Sequence, residues 1–169
     1  MVEYLIEKNL EPSFIILTHE HFDHISSLEY LRTRFDCKVI ASVKCSESII
    51  NSKKNLSLFF DQKGFNCSPA DILIDKNNSV IIWQKNNLHF YLTPGHSEGG
   101  LCFSLGNKLF TGDTLLQSSK AIVKLPGGDK QKLDESINML FELFGSDTMI
   151  FPGHGEVFSL AMLNSNISQ

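Results

Sequence analysis

Apolar positions at the start of the chain recur at helical spacing: Val2, Leu5, Ile6 and Leu10 share one face of a helix that Pro12 closes. The next run, Phe14-Ile15-Ile16-Leu17, has no polar interruption, which is the pattern of a fully buried strand. Helical period returns with Ile25, Leu28 and Leu31, and this second helix is expected to run to about Phe35. Lys38-Val39-Ile40-Ala41 is a short strand, so strand, helix and strand together predict a parallel βαβ unit. Between Ser42 and Asp71 the pattern weakens to a helical turn over residues 46–50 and an apolar patch over residues 56–60, together a surface helix pair with a local core.

After Asp71 the period shortens. Ile72-Leu73-Ile74, Val80-Ile81-Ile82-Trp83 and Leu88-His89-Phe90-Tyr91-Leu92 are strand-like, the last two joined through Lys85-Asn86-Asn87. Leu101-Cys102-Phe103-Ser104-Leu105 and Lys108-Leu109-Phe110-Thr111 form another hairpin around Gly106-Asn107. A helix follows over residues 131–144, with Leu133, Ile137, Leu140, Phe141 and Phe144 on its apolar side, and Thr148-Met149-Ile150-Phe151 is the last clear strand. Helices interleave with the early strands and strands then dominate, an order that suits two packed sheets with helices outside.

At 169 residues the chain is most simply one domain, residues 1–169. Its formal charge of −4 gives no electrostatic reason to bind nucleic acid or an anionic membrane. No apolar run approaches the roughly 18 residues that a membrane span needs. The start lacks both the basic residues and the cleavage site of a signal peptide, so the expected compartment is the cytoplasm. Cys37, Cys45, Cys67 and Cys102 show no Cys-x-x-Cys spacing and read as reduced, mostly core thiols.

The chemistry concentrates in Thr18-His19-Glu20-His21-Phe22-Asp23-His24, directly after the first buried strand. Each histidine and the aspartate can give a metal a lone pair, and imidazole is the commonest protein ligand to zinc. A strand ending at Leu17 delivers them to its mouth, where His19 and His21, two apart, can point the same way. Asp23 and His24 then open the following helix, so one strand-loop-helix presents four donors to one cleft.

His19-x-His21-x-Asp23-His24 resembles the signature of the metallo-β-lactamase superfamily, and the resemblance implies three further ligands downstream. Thr93-Pro94-Gly95-His96-Ser97, Phe110-Thr111-Gly112-Asp113-Thr114 and Phe151-Pro152-Gly153-His154-Gly155 supply them, each in a glycine turn after a strand. The resemblance extends from His19 to Gly155 and implies an α/β fold, the four-layer αββα sandwich of that superfamily. It assigns His19, His21 and His96 to one metal and Asp23, His24 and His154 to a second, with Asp113 bridging and with Asp23 and Asp113 as the catalytic carboxylates. Two divalent ions are implied, zinc by usual expectation, although iron and manganese accept the same ligands. A metal can lower the pKa of bound water to about 7, so hydrolysis by a hydroxide held between the two ions is the implied reaction class.

Other candidates read as structural. His89 lies inside a strand, Glu20 and Glu98 neighbour ligands without a motif and default to solvent, and Ser97 makes a turn hydrogen bond. Leu125-Pro126-Gly127-Gly128-Asp129 and Phe110-Thr111-Gly112-Asp113-Thr114-Leu115 look like the small glyoxalase II-like branch, whose members hydrolyse thioesters such as S-lactoylglutathione. The expected partner is therefore a small acyl or thioester substrate. The chain departs from that branch in three ways. Ser118-Ser119-Lys120-Ala121-Ile122-Val123-Lys124 replaces a glycine-arginine pair, with Lys120 and Lys124 read as solvated. Fifteen residues follow His154, where full glyoxalase II enzymes carry a helical domain. Superfamily members usually carry several strands before the first helix, so the expectation here is an N-terminally truncated form whose exposed sheet edge favours a homodimer or a swapped assembly. Two further expectations stand beside the hydrolase. One is a mononuclear iron persulfide dioxygenase, which shares the fold; the other is a truncated metal-binding subunit with little or no catalysis.

Overall fold

The uninterrupted apolar run forms β1 (Phe14–Ile16), which pairs in parallel with β2 (Lys38–Ser42), Ile15 opposite Val39. Before it, α1 (Val2–Glu7) ends sooner than its apolar spacing suggests, because Asn9 takes left-handed backbone at φ 51°. The computed structural model describes residues 2–117 and 119–164; Met1 and Ser118, which the sequence reading touches, lie outside them.

The crossover from β1 to β2 is two helices rather than one. α2 (Phe22–Ile25) carries Asp23 and His24, and α3 (Leu28–Phe35) follows after Ser26 and Ser27. Serine competes for backbone hydrogen bonds and is a weak helix-interior residue, so a serine pair is a natural break. α3 stops at Asp36, left-handed at φ 48°, whose N–H closes on the Arg32 carbonyl. After β2, the Ser42 hydroxyl caps α4 (Val43–Ile49) by accepting the Cys45 N–H at 3.0 Å. α5 (Ser57–Asp61) then covers the apolar patch of residues 56–60.

β3 (Ile72–Ile74) lies parallel to β2, Ile40 opposite Ile72, and so completes the first sheet in the order β1-β2-β3. Period alone groups it with the antiparallel strands that follow. What places it is Asp71, whose carboxylate accepts the Val39 N–H at 2.8 Å and the Arg32 guanidinium at 2.7 Å, tying the strand start to β2 and α3.

The second sheet runs β4 (Ser79–Trp83), β5 (Asn86–Leu92), β6 (Leu101–Leu105), β7 (Lys108–Gly112), β8 (Met149–Pro152) and β9 (Phe158–Ser159), neighbours in that order. Gln84 and Lys85 both take positive φ, the two-residue turn that matches strand twist, so Trp83 faces Asn86 and the turn falls one residue earlier than the sequence suggests. β7 and β8 are parallel and are joined by a crossover containing α6 (Lys130–Leu143). Asp129 caps α6, its carboxylate accepting the Lys132 N–H.

Three apolar clusters define four layers. Leu17, Val39 and Ala41 pack outward against Ile25, Leu28, Cys45 and Ile49 of the first helical layer. Ile40 and Ile74 pack inward on Leu88, Phe90 and Leu101 of the second sheet. Tyr91, Cys102, Leu109 and Ile150 pack beneath Leu140 of α6. The order is helices, sheet, sheet, helices, which is the αββα sandwich. Among the described residues β1 pairs with β2 alone, and beside its free edge a cleft of about 400 Å³ lies between Ile16 and the stacked rings of Phe103, Phe110 and Phe151. The four cysteines are buried and free, and burial raises their thiols, those of Cys67 and Cys102 to about 11, so they stay protonated at neutral pH. No helix among the described residues is long and apolar enough to cross a membrane.

Candidate metal centre

Four strands end at the same side of the sandwich, and each end delivers part of one cluster. Past β1, Leu17 N–H reaches the Ile40 carbonyl and the Thr18 carbonyl accepts the Leu101 N–H at 2.7 Å, so the His19–His24 segment is stitched to both sheets. β5 and its Pro-Gly turn place His96, β7 places Asp113, and β8 places His154. Between Phe110 and Gly112 the β7–β8 register shifts, so that Gly112 pairs with Pro152 and Asp113 comes to lie beside Gly153.

All seven side chains expected from the sequence meet there. His19, His21 and His96 form a buried triad; Asp23, His24 and His154 form a more open one; His19, His24 and Asp113 form a third grouping between them. Within each group the donor atoms lie within 4.8 Å of one another. His21 Nδ1 is 3.0 Å from His96 Nε2, and His24 Nε2 is 3.3 Å from His154 Nε2. The Asp113 carboxylate stands 3.5 Å from His24 Nε2, 3.7 Å from His96 Nε2 and 3.6 Å from His154 Nε2, so it faces both triads. Asp23 Oδ2 lies 3.2 Å from His154 Nε2.

The donor set fits a divalent metal. His19 Nε2 and Asp113 Oδ1 are buried without a hydrogen-bond partner, a costly state for polar atoms that a cation relieves, and His21 turns its Nδ1 toward His96, leaving its Nε2 buried and unpartnered on the other side of the ring. The tautomer of His96 is fixed: a carbonyl can only accept, so Nδ1–H donates to Ile122 O at 2.8 Å and Nε2 keeps its lone pair toward His21. The two triads differ in access, since the side chains of Asp23 and His154 are 40% and 57% exposed while His19, His21 and His96 are 2%, 5% and 5% exposed. The cluster is therefore open to solvent on the Asp23–His154 side.

Burial also favours the neutral form of three of the imidazoles. It holds His19 well below the ordinary histidine value, lowers His21 to about 4 and lowers His24, where the neighbouring carboxylates of Asp113 and Asp23 oppose it. Unfolded histidines take up protons near pH 6.5, so between pH 6.5 and about 4 the unfolded chain holds more protons than the folded one. Stability of the metal-free protein therefore falls as pH drops through that window and gains nothing from these groups above it. The raised carboxyl of Glu20 works in the opposite sense, one group against three. Denaturant midpoints of chelator-stripped protein from pH 7.5 to 4.5 are expected to show the decline; a flat profile would mean that the cluster is open to water without metal.

One residue was misplaced by sequence reasoning. Glu20 is 4% exposed, not solvated, and burial raises its carboxyl while bonds from Ser97 and Gly99 partly offset the rise. The signal for it lay elsewhere in the chain: Gly99-Gly100 follows His96, and a β-carbon on Gly99 would collide with Glu20 Oε2. Ser97 does make a hydrogen bond rather than stand free. His89 lies within β5, opposite Ser104, and Glu98, Lys120 and Lys124 are exposed.

Known proteins resemble this chain along most of its length. The profile of the Metallo-beta-lactamase superfamily matches residues 3–154. The probable metallo-hydrolase YqgX of Bacillus subtilis is 30% identical over 155 residues, covering 90% of this chain and 73% of its own. The hydroxyacylglutathione hydrolase GloC of Haemophilus influenzae is 24% identical, covering 92% of this chain and 74% of its own. Among solved structures, that of the BLEG-1 B3 metallo-beta-lactamase superposes with a TM-score of 0.90 at 28% identity, over 97% of this chain and 79% of that one.

Proposed function

The chain belongs to the metallo-β-lactamase superfamily, and from that premise we propose that it is a hydrolase with two divalent ions, acting on a thioester or a related acyl compound. The observation that carries the reading is the convergence of seven donors at one end of the sandwich, with His19 Nε2 and Asp113 Oδ1 among them buried and unpartnered. His19, His21 and His96 would hold one ion, Asp23, His24 and His154 the other, and Asp113 both. When bound, such ions lower the pKa of water to about 7 and polarise an acyl carbonyl. Zinc suits the imidazole-rich set, and iron or manganese would accept it too.

The chain's own residues set the conditions for that chemistry. The His96–Ile122 bond aims an unprotonated nitrogen inward. The lowered pKa values of His19 and His21 leave those two donors free at neutral pH without a competing proton. Asp113 and Asp23 supply the negative charge that offsets the ions, and the exposed Asp23–His154 rim is where an acyl group would enter. The thioester class is supported by the similarity to a protein named as a hydroxyacylglutathione hydrolase.

The test begins with element-resolved metal content per chain, then hydrolysis of S-lactoylglutathione and a panel of acyl thioesters with and without chelator. Two equivalents of metal and chelator-sensitive cleavage are expected. One equivalent of iron with oxygen uptake on a persulfide would overturn the hydrolase reading, and no metal after reconstitution would overturn the centre itself.

A further inference from the structure

Glu20 sits between two members of the buried triad in sequence and bonds to the loop that carries the third. Its Oε2 accepts the Ser97 hydroxyl at 3.0 Å, and its Oε1 accepts the Gly99 N–H at 3.3 Å. Ser97 directly follows His96. From the other side, the Gly99 carbonyl accepts the Ser42 hydroxyl at 2.7 Å, and Ser42 is the cap of α4. One buried chain of hydrogen bonds thus runs from the His19–His21 loop through the His96 loop to the first helical layer.

The packing leaves this chain little slack. Glu20, Ser97 and Ser42 are 4%, 1% and 3% exposed, and a β-carbon on Gly99 would meet both Glu20 Oε2 and the Cys45 backbone. Among the described residues Glu20 has no cationic side chain as partner, so neutral donors alone hold its carboxylate. Burying a carboxylate is costly, and an apolar side chain would serve packing better. What Glu20 adds is direction, since its two oxygens lock two points, Ser97 and Gly99, of the loop that carries His96.

We propose that Glu20 is a positioning residue, fixing the His96 imidazole against His19 and His21 so that the buried triad is set before metal arrives. The inference rests on the reading of those three histidines as ligands. Metal ligands depend on such outer partners for orientation, and removing a partner typically weakens metal affinity about 10–100-fold.

The test titrates zinc alone into chelator-stripped, full-length protein and measures affinity by competition with a chromophoric chelator. Cobalt absorption reads ligand geometry, and circular dichroism with thermal melts reads the fold. Glu20→Ala is expected to weaken the tighter zinc equivalent about 10–100-fold and to alter the cobalt spectrum while the chain stays folded. Glu20→Gln is expected to restore both, because its amide can donate to Ser97 and still accept from Gly99. Ser97→Ala, which removes one of the two bonds, is expected to give a smaller loss and decides the matter if Glu20→Ala does not fold. Wild-type zinc affinity and cobalt spectrum in folded Glu20→Ala, or in Ser97→Ala where Glu20→Ala does not fold, would overturn the proposal, as would equal losses in Glu20→Ala and Glu20→Gln. Wild-type protein that takes up no zinc would overturn the ligand reading itself.

Discussion

Asp113→Ala is expected to lose at least one metal equivalent and turnover on the order of a thousandfold, the scale on which removing a group at the reacting centre is felt, while the chain stays folded. Asp113 is the carboxylate that faces both triads, within 3.7 Å of His24, His96 and His154. Its Oδ1 is buried and makes no hydrogen bond, so the metal-free fold bears its desolvation with only the His24 ring, 3.5 Å away, to offset it. Alanine there removes a cost from the metal-free protein and, on the proposed assignment, a ligand from the loaded one. The two effects separate by measurement: thermal melts of chelator-stripped protein hold steady or rise, while metal per chain and turnover fall. Full turnover with full metal would mean that the bridging assignment is wrong. A melt that collapses without metal would mean that Asp113 serves the fold first.

The clustering of the donors was legible in the sequence because most of them sit just past an apolar run, and a strand fixes where its next residue goes. His19, His96, Asp113 and His154 all follow such runs, three of them in glycine turns. The parallel pairing of β1 and β2 was legible for a similar reason, since the residues between them were enough for a crossover. What the sequence concealed depends on contacts between distant segments. β3 reads as another short strand, and only the Asp71 carboxylate, bonded to Val39 and Arg32, shows why it joins the first sheet. The break between α2 and α3 is two serines within a continuous apolar period. Glu20 escaped because neighbouring residues in sequence say nothing about Ser97 and Gly99, which lie nearly eighty positions away. The candidate ligands are set by local pattern, whereas the groups that hold them are set by tertiary contact.

That distinction makes Gly153→Ala the sharper probe of the site, with an expected loss of the outer metal equivalent and of turnover on the order of a hundredfold, the scale of a misplacement of about 1 Å. A β-carbon at Gly153 would press into Asp113 Oδ1 and stand 2.7 Å from His24 Cε1. The backbone cannot retreat, because the Gly153 N–H donates to the Gly112 carbonyl at 2.8 Å, at the point where β7 and β8 hold register. Gly153 does not take the left-handed conformation, so alanine brings no backbone strain and its cost falls on two donors. Gly155 is the natural contrast: it takes φ 89°, and a β-carbon there would find nothing within 4 Å. Alanine at Gly155 is expected to cost about 1 kcal/mol of stability through backbone strain and to leave metal content unchanged. Metal per chain and denaturant midpoints on the two variants therefore move in opposite patterns, one losing metal and keeping stability, the other the reverse. If Gly155→Ala stripped metal while Gly153→Ala kept it, the conformation of the last loop, rather than the space beside Asp113 and His24, would be what sets the outer triad.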